Sequence, residues 1–182
     1  MPPVPARPGA LGVSMIEILV CLGLLALLTN LALPSARRML DWQRLHGRAD
    51  QLMADLQQSR SDALRLATEV HFQLQRGSEG ACYVVHVGQR GDCTCGMDGR
   101  STCQPGALAL RSQGFARDQD PTELRSNVNH LLFSGRQGTV SSTGTLELAH
   151  PDGRAVRVVV SLMGRTRRCT LPQAHAGLPA CV

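Results

Sequence analysis

The chain has 182 residues, 43% of them hydrophobic and 3% aromatic, with a formal charge of +5. That size and apolar content allow a buried core and exclude a disordered polymer, and the shortage of aromatics leaves the core to Leu, Val and Ala. All 19 basic residues are arginine, a bias that GC-rich coding explains as well as selection for phosphate contacts does, so composition names no partner.

Val13 to Leu33 is a run of 21 residues in which Glu17 is the sole charge. As a helix it spans roughly 31 Å, one hydrocarbon core, whereas the apolar region of a secretory signal has only about 7–15 residues. Signal cleavage after Ala36 would put Pro34 at the −3 position, a poor fit to the small-residue rule. A carboxylate in the bilayer costs on the order of 3 kcal/mol or more and needs a partner. The nearest cation is the amine released by cutting after Gly12, whose missing side chain lets a peptidase approach. The new terminus of Val13 in one copy can then meet Glu17 of a neighbour, which lowers the cost of burying both charges. The flanking charges, Arg7 before and Arg37 with Arg38 after, taken alone favour the opposite orientation; here the cleavage motif decides.

Gly12-Val13-Ser14-Met15-Ile16-Glu17 with its apolar run resembles the prepilin peptidase site of type IV pilins and type II secretion pseudopilins. Val13 stands where Phe is usual, and Pro34 matches a proline common in pilins. The resemblance implies cleavage after Gly12, N-methylation of Val13, and assembly into a filament through the first helix and Glu17. The implied partners are the prepilin peptidase, the inner membrane and other pilin or pseudopilin subunits. The implied location is a single pass of the inner membrane with the C-terminal domain in the periplasm, from which a subunit can enter an extracellular pilus. The implied organisation is a leader at 1–12, a transmembrane assembly helix at 13–34, an amphipathic continuation at 35–68 and a β-rich domain at 69–182.

Trp42, Leu45, Ala49, Leu52, Leu56, Ala63 and Ala67 recur at helical spacing, with Arg44, Arg48, Asp55 and Arg60 off the stripe, which predicts one helix from about Val13 to Ala67 lying on a sheet. Pro34 should kink it and Gly47 loosen it. The run Gln58 to Ala63 resembles the helix end of the GspH/FimT branch of pseudopilins. Beyond Ala67 the period changes to two. Glu69–Gln75 and Ala81–Val87 read as strands around the turn Arg76–Gly80. Gly88 to Gly106 reads as a long loop, Ala107–Arg111 as a short strand, Gln113–Ser126 as irregular, and Val128–Phe133 as a strand. Thr145–His150 and Ala155–Leu162, joined through Asp152-Gly153, read as a hairpin. The tail after Cys169 reads as loop. One long helix on mostly antiparallel strands is an α+β sandwich, which agrees with the pseudopilin fold that the resemblance implies.

Cys21 lies in the apolar helix as a free, buried thiol. The even number that follows, Cys82, Cys93, Cys95, Cys103, Cys169 and Cys181, suits disulfides in an oxidising compartment. Cys169 with Cys181 closes a short loop. Cys93 and Cys95 are too close to pair with each other and reach Cys82 and Cys103 in an order the sequence leaves open. Zinc held by Cys93, Cys95 and Cys103 is the rival, weakened by the C-x-C spacing. No other metal or cofactor is indicated.

From Arg136 to Val182 six arginines face Glu147 and Asp152, a net charge of +4. Three of them crowd into Gly164-Arg165-Thr166-Arg167-Arg168, placed at the end of the last predicted strand. With Thr166 between them, Arg165 and Arg167 would share one face of a strand, a fork suited to phosphate oxygens. Gly164-Arg165-Thr166-Arg167 also resembles the Gly-Arg-x-Arg tail of FimT-type minor pilins, which implies non-specific binding of double-stranded DNA by Gly164, Arg165, Arg167 and Arg168. GspH pseudopilins of type II secretion share the fold and are the alternative. His46, His71, His86, His130, His150 and His175 are scattered without metal spacing, no catalytic constellation emerges, and the reading is of a structural protein rather than an enzyme.

Overall fold

The computed structural model describes residues 14–118, 121–171 and 177–181, so Gly12, Val13, the leader and His175 lie outside the described residues. The chain divides into two compact units, Met1–Trp42 and Gln43–Val182. One helix, α1 (Met15–Leu66), runs through both and is unbroken at Pro34.

In the first unit the helix starts on Ser14, whose carbonyl accepts from Glu17 and Ile18 N–H at 3.0 and 3.2 Å. It is long and apolar enough to cross a membrane by length and composition, and it fits a single-pass anchor. Its apolar side chains, such as Leu19, Leu25 and Leu28, are exposed. Its polar side chains bond inward: Thr29 Oγ1 to Leu25 O at 2.8 Å, Asn30 Nδ2 to Ala26 O at 2.7 Å and Ser35 Oγ to Ala32 O at 2.8 Å. A helix that satisfies its own polar groups can present an apolar surface to lipid. Cys21 is a free thiol on that exposed surface rather than a buried one.

In the second unit the expected stripe is the core face. Leu45, Ala49, Leu52, Leu56 and Ala63 are buried, while Ala67 is exposed and ends the helix. Ala67 takes a left-handed φ of 50°. Thr68 N–H bonds Ala63 O and Ala67 N–H bonds Leu64 O, a Schellman close with alanine where glycine is usual.

Strands β1 (Val70–Gly77), β2 (Gly80–Val87), β3 (Cys93–Cys95), β4 (Ser101–Cys103), β5 (Leu108–Ala116), β6 (Glu123–Ser126), β7 (His130–Phe133), β8 (Gly144–Ala149), β9 (Ala155–Val160) and β10 (Thr166–Leu171) follow. They form an antiparallel sheet in the order β5-β2-β1-β7, a second in the order β10-β9-β8-β6, and the small pair β3-β4. The α+β class holds. The expected loop 88–106 contains the β3-β4 hairpin. The irregular stretch 113–126 holds the rest of β5 and all of β6, and the tail after Cys169 begins inside β10.

Disulfides join Cys82 to Cys95, Cys93 to Cys103 and Cys169 to Cys181. The C-terminal pairing is as expected, the open choice between Cys82 and Cys103 is settled, and the zinc alternative falls because its three cysteines carry no thiolate. The β3-β4 hairpin is thereby stapled to β2, and it seats on β5 at Gly114, where a Cβ would stand 2.0 Å from Met97 O.

Asp55 was expected off the stripe but belongs to the core side. Tyr83 donates to Asp55 Oδ2 at 2.6 Å, and Arg111 of β5 pairs with buried Asp62 and, at 3.8 Å, with Asp55. Burial first, then the bond to Asp55, pushes the Tyr83 phenol well above its ordinary range. From the other sheet Gln57 Nε2 donates to Thr166 Oγ1 at 2.9 Å. The second half of α1 is thus gripped by both sheets.

Candidate nucleic-acid interface

The site forms where β9 turns into β10. Gly164 N–H bonds Ser161 O at 2.8 Å and Ser161 N–H bonds Arg165 O at 2.9 Å, which leaves Leu162, Met163 and Gly164 as a three-residue loop with glycine at the left-handed position. Gly164 has φ +71°, and a Cβ there would stand 2.5 Å from Gly138 O and 2.9 Å from Arg60 Cδ. Glycine is therefore needed twice, for its backbone angle and for the close approach. Arg60 Nε donates to Gly138 O at 3.0 Å, so the loop, the 134–140 turn and α1 meet at one point.

Strand alternation then separates the arginines. Arg167 pairs in register with Val159 on the outer face, whereas Thr166 and Arg168 pair with Val160 and Val158 on the core side. Arg165 and Arg167 are exposed. Arg168 turns the other way and forms an ion pair with Asp50 of α1. The structure therefore brings Gly164, Arg165 and Arg167 together and turns Arg168 away from them. Arg165 and Arg167 border a cleft of about 610 Å³ whose other wall is Gln57, Arg60 and Ser61 of α1. Arg167 also borders a second cleft of about 430 Å³ beside Arg157 and the Cys169–Cys181 bridge. Arg157 is engaged there with Glu147 at 2.6 Å. Two guanidinium groups on a braced hairpin, open to solvent and without an ion pair among the described residues, can contact phosphate oxygens and carry no base code.

Glu17 projects from the first turn of α1 on the exposed apolar surface, and among the described residues no ion pair involves it. Such a carboxylate is available to a cation from outside those residues.

A second grouping was hidden by the scattered histidines. His71 of β1 and His86 of β2 are cross-strand partners with rings stacked 5.2 Å apart, and His71 Nδ1 lies 2.9 Å from His130 Nε2 of β7. His71 and His86 are buried, and among the described residues His71 Nε2, both His86 ring nitrogens and Gln73 Oε1 have no partner within ordinary hydrogen-bond geometry. Burial lowers all three pKa values. For His130 the neighbouring His71 and Arg90 add to burial and bring it to about 4, while Glu69 and Asp92 partly oppose the shift at His71. The signal was present in the register: 71 and 86 are symmetric about the turn between Gly77 and Gly80. Among the described residues no group of three or more His, Cys, Asp or Glu side chains is arranged to hold a metal ion.

The family model of type II transport protein GspH matches residues 48–164. The match stops at Gly164, so Arg165 and Arg167 lie beyond it. Among solved structures, the type IV minor pilin FimU of Pseudomonas aeruginosa is 21% identical, with a TM-score of 0.51 over 69% of this chain and 87% of that one. A second crystal form of FimU gives 21% identity and a TM-score of 0.49 over 68% and 91%. At that identity the likeness speaks to fold. No curated protein matches the sequence.

Proposed function

The chain belongs to the GspH family of pilin-like type II transport proteins, and from that premise we propose that it is a minor pilin of the FimT kind, a structural subunit of a type IV pilus that also binds double-stranded DNA without a sequence code. Prepilin peptidase cuts after Gly12, Val13 becomes the methylated N-terminus, and the helix holds the subunit in the inner membrane with the second unit in the periplasm. Glu17 pairs with the terminus of an adjacent subunit during assembly. Replacing Glu17 by Ala should abolish incorporation into filaments and leave membrane insertion intact; filaments that contain the variant at the normal level would refute the pairing.

The observation that carries DNA binding is the contrast within one motif: Arg165 and Arg167 are exposed and have no ion pair among the described residues, while Arg168 is tied to Asp50. Each phosphate contact contributes about one unit to the slope of log affinity against log salt. The Arg165→Gln/Arg167→Gln variant should therefore lose most duplex affinity and about two units of that slope in a gel-shift titration. An unchanged affinity and slope would remove these arginines from the interface.

The second reading is a minor pseudopilin of type II protein secretion, favoured by the family model itself. On that reading the purified chain shows no salt-sensitive binding to DNA, and loss of the subunit impairs protein export rather than pilus formation.

A further inference from the structure

The hairpin tip beside the two exposed arginines is apolar. Leu162 is 50% exposed and Met163 62%. They are the two central residues of the turn closed by Gly164 N–H on Ser161 O. The tip stands on a fixed base. Val140 N–H donates to Leu162 O at 2.9 Å, Arg165 N–H donates to Ser161 Oγ at 3.2 Å, and Gly164 is seated against Gly138 O and Arg60. Neither side chain is needed for these bonds, which use backbone atoms and Ser161. The bonds that close the hairpin do not require Leu and Met where polar turn residues are usual.

Phosphate contacts alone leave such a projection unexplained, because arginines bind a duplex surface without an apolar group between them. A wedge does explain it. Proteins that bend DNA from the minor groove insert Leu, Met or similar side chains into a base step, and cationic side chains alongside hold the backbone. Arg165 and Arg167 follow the tip directly and are two residues apart, about 6.6 Å on extended chain. The charge that draws the hairpin onto the backbone therefore lies within a few ångströms of the group that would enter the stack.

We propose that Leu162 and Met163 form a wedge that partly unstacks one base step of a DNA duplex while Arg165 and Arg167 hold the flanking phosphates; this rests on the DNA-binding reading above. The occupant is duplex DNA because the two arginines supply charge complementarity to a polyanion and a base step flanked by phosphates accepts apolar side chains such as Leu and Met. DNA bound this way is kinked. Pyrimidine–purine steps, above all TA, unstack at least cost and are preferred, so the protein reads deformability rather than base edges.

The test uses the full-length chain in detergent micelles and a duplex carrying 2-aminopurine next to a central TA step. The wild-type protein should raise the 2-aminopurine fluorescence on binding. The Leu162→Ser/Met163→Ser variant should lose that rise and bind on the order of tenfold more weakly, with an unchanged salt slope because the phosphate contacts remain. Met163→Ala alone should show an intermediate loss. If the wild type binds with no fluorescence rise, or the double variant keeps both rise and affinity, the wedge is refuted and the arginine contacts stand. If the wild type does not bind the duplex at all, the DNA reading beneath it is refuted as well.

Discussion

Acidification should destabilise the second unit through its three clustered histidines, of which His71 and His86 are stacked and His130 is tilted against His71. The unfolded chain takes up a proton at each histidine as pH falls through about 6.5. The folded chain resists, because burial holds His71 and His86 low and burial together with His71 and Arg90 holds His130 at about 4. A histidine with a lowered folded pKa leaves stability unaffected above 6.5 and subtracts from it progressively down to the folded value. For His130 the limit is about 3 kcal/mol, and screening at its partly exposed ring reduces this to about 1–2 kcal/mol. His71 and His86 add losses of the same sign. Against a total stability of about 5–15 kcal/mol this is a large fraction, worth roughly 3–8 °C in Tm for a domain of this size. The assay is urea unfolding of residues 43–182, which hold all of the described buried core, followed by near-ultraviolet dichroism between pH 7.5 and 4.5. His130→Leu should match wild type near pH 7.5 within about 1 kcal/mol and lose less than wild type on acidification. If the two fall in parallel, the histidine cluster is not the source of acid sensitivity.

Two further substitutions probe the framework of the site. Replacing Arg111 by Met takes from buried Asp62 its partner on β5 and leaves it only the exposed Arg65 at 3.3 Å, and should cost about 2–4 kcal/mol in urea unfolding at pH 7; a loss below 1 kcal/mol would show that Arg65 alone neutralises the carboxylate. Replacing Gly164 by Ala forces a side chain into a left-handed backbone against Gly138 O. It should cost about 1–3 kcal/mol and weaken duplex binding while both arginines remain, as measured by thermal unfolding and gel shift on the same preparation; unchanged values in both would mean that the hairpin base is pliable.

Periodicity reveals one side of a surface at a time, and this decides what was legible. The stripe Leu45, Ala49, Leu52, Leu56, Ala63 was visible because apolar residues at helical spacing need no partner to be recognised. Asp55 and Asp62 share the buried side with it, but a charge reads as solvated until the guanidinium that neutralises it, Arg111, is known to lie across on β5. The strands β6 and β10 were missed for a related reason. Glu123-Leu124-Arg125-Ser126 and Thr166-Arg167-Arg168-Cys169-Thr170-Leu171 have little apolar alternation, and only pairing with β8 and β9 makes them extended. The cysteines gave their pairing almost completely, since chain separation limits the choices. The histidine triad needed register, which follows from the β1-β2 turn but is not announced by spacing along the chain.

Register also decides what the arginine motif can do. Side chains on a strand alternate strictly, so a slip of β10 by one residue against β9 would exchange its two faces. Arg167 would then turn toward the core side, where Val158 and Val160 are buried, and Arg168 would face solvent. Burying that guanidinium without a carboxylate costs several kcal/mol, whereas the observed register gives the inward arginine a partner in Asp50. Three further devices oppose the slip: the left-handed Gly164 that fixes where β10 begins, the bond from Gln57 to Thr166, and the Cys169–Cys181 bridge. A sequence with the same arginines but no glycine ahead of them, or no acid at position 50, would present a different charge pattern from the same composition. The exposed pair is thus a consequence of the core, and a four-residue motif has meaning here because the turn, the helix and the disulfide together allow it only one alignment.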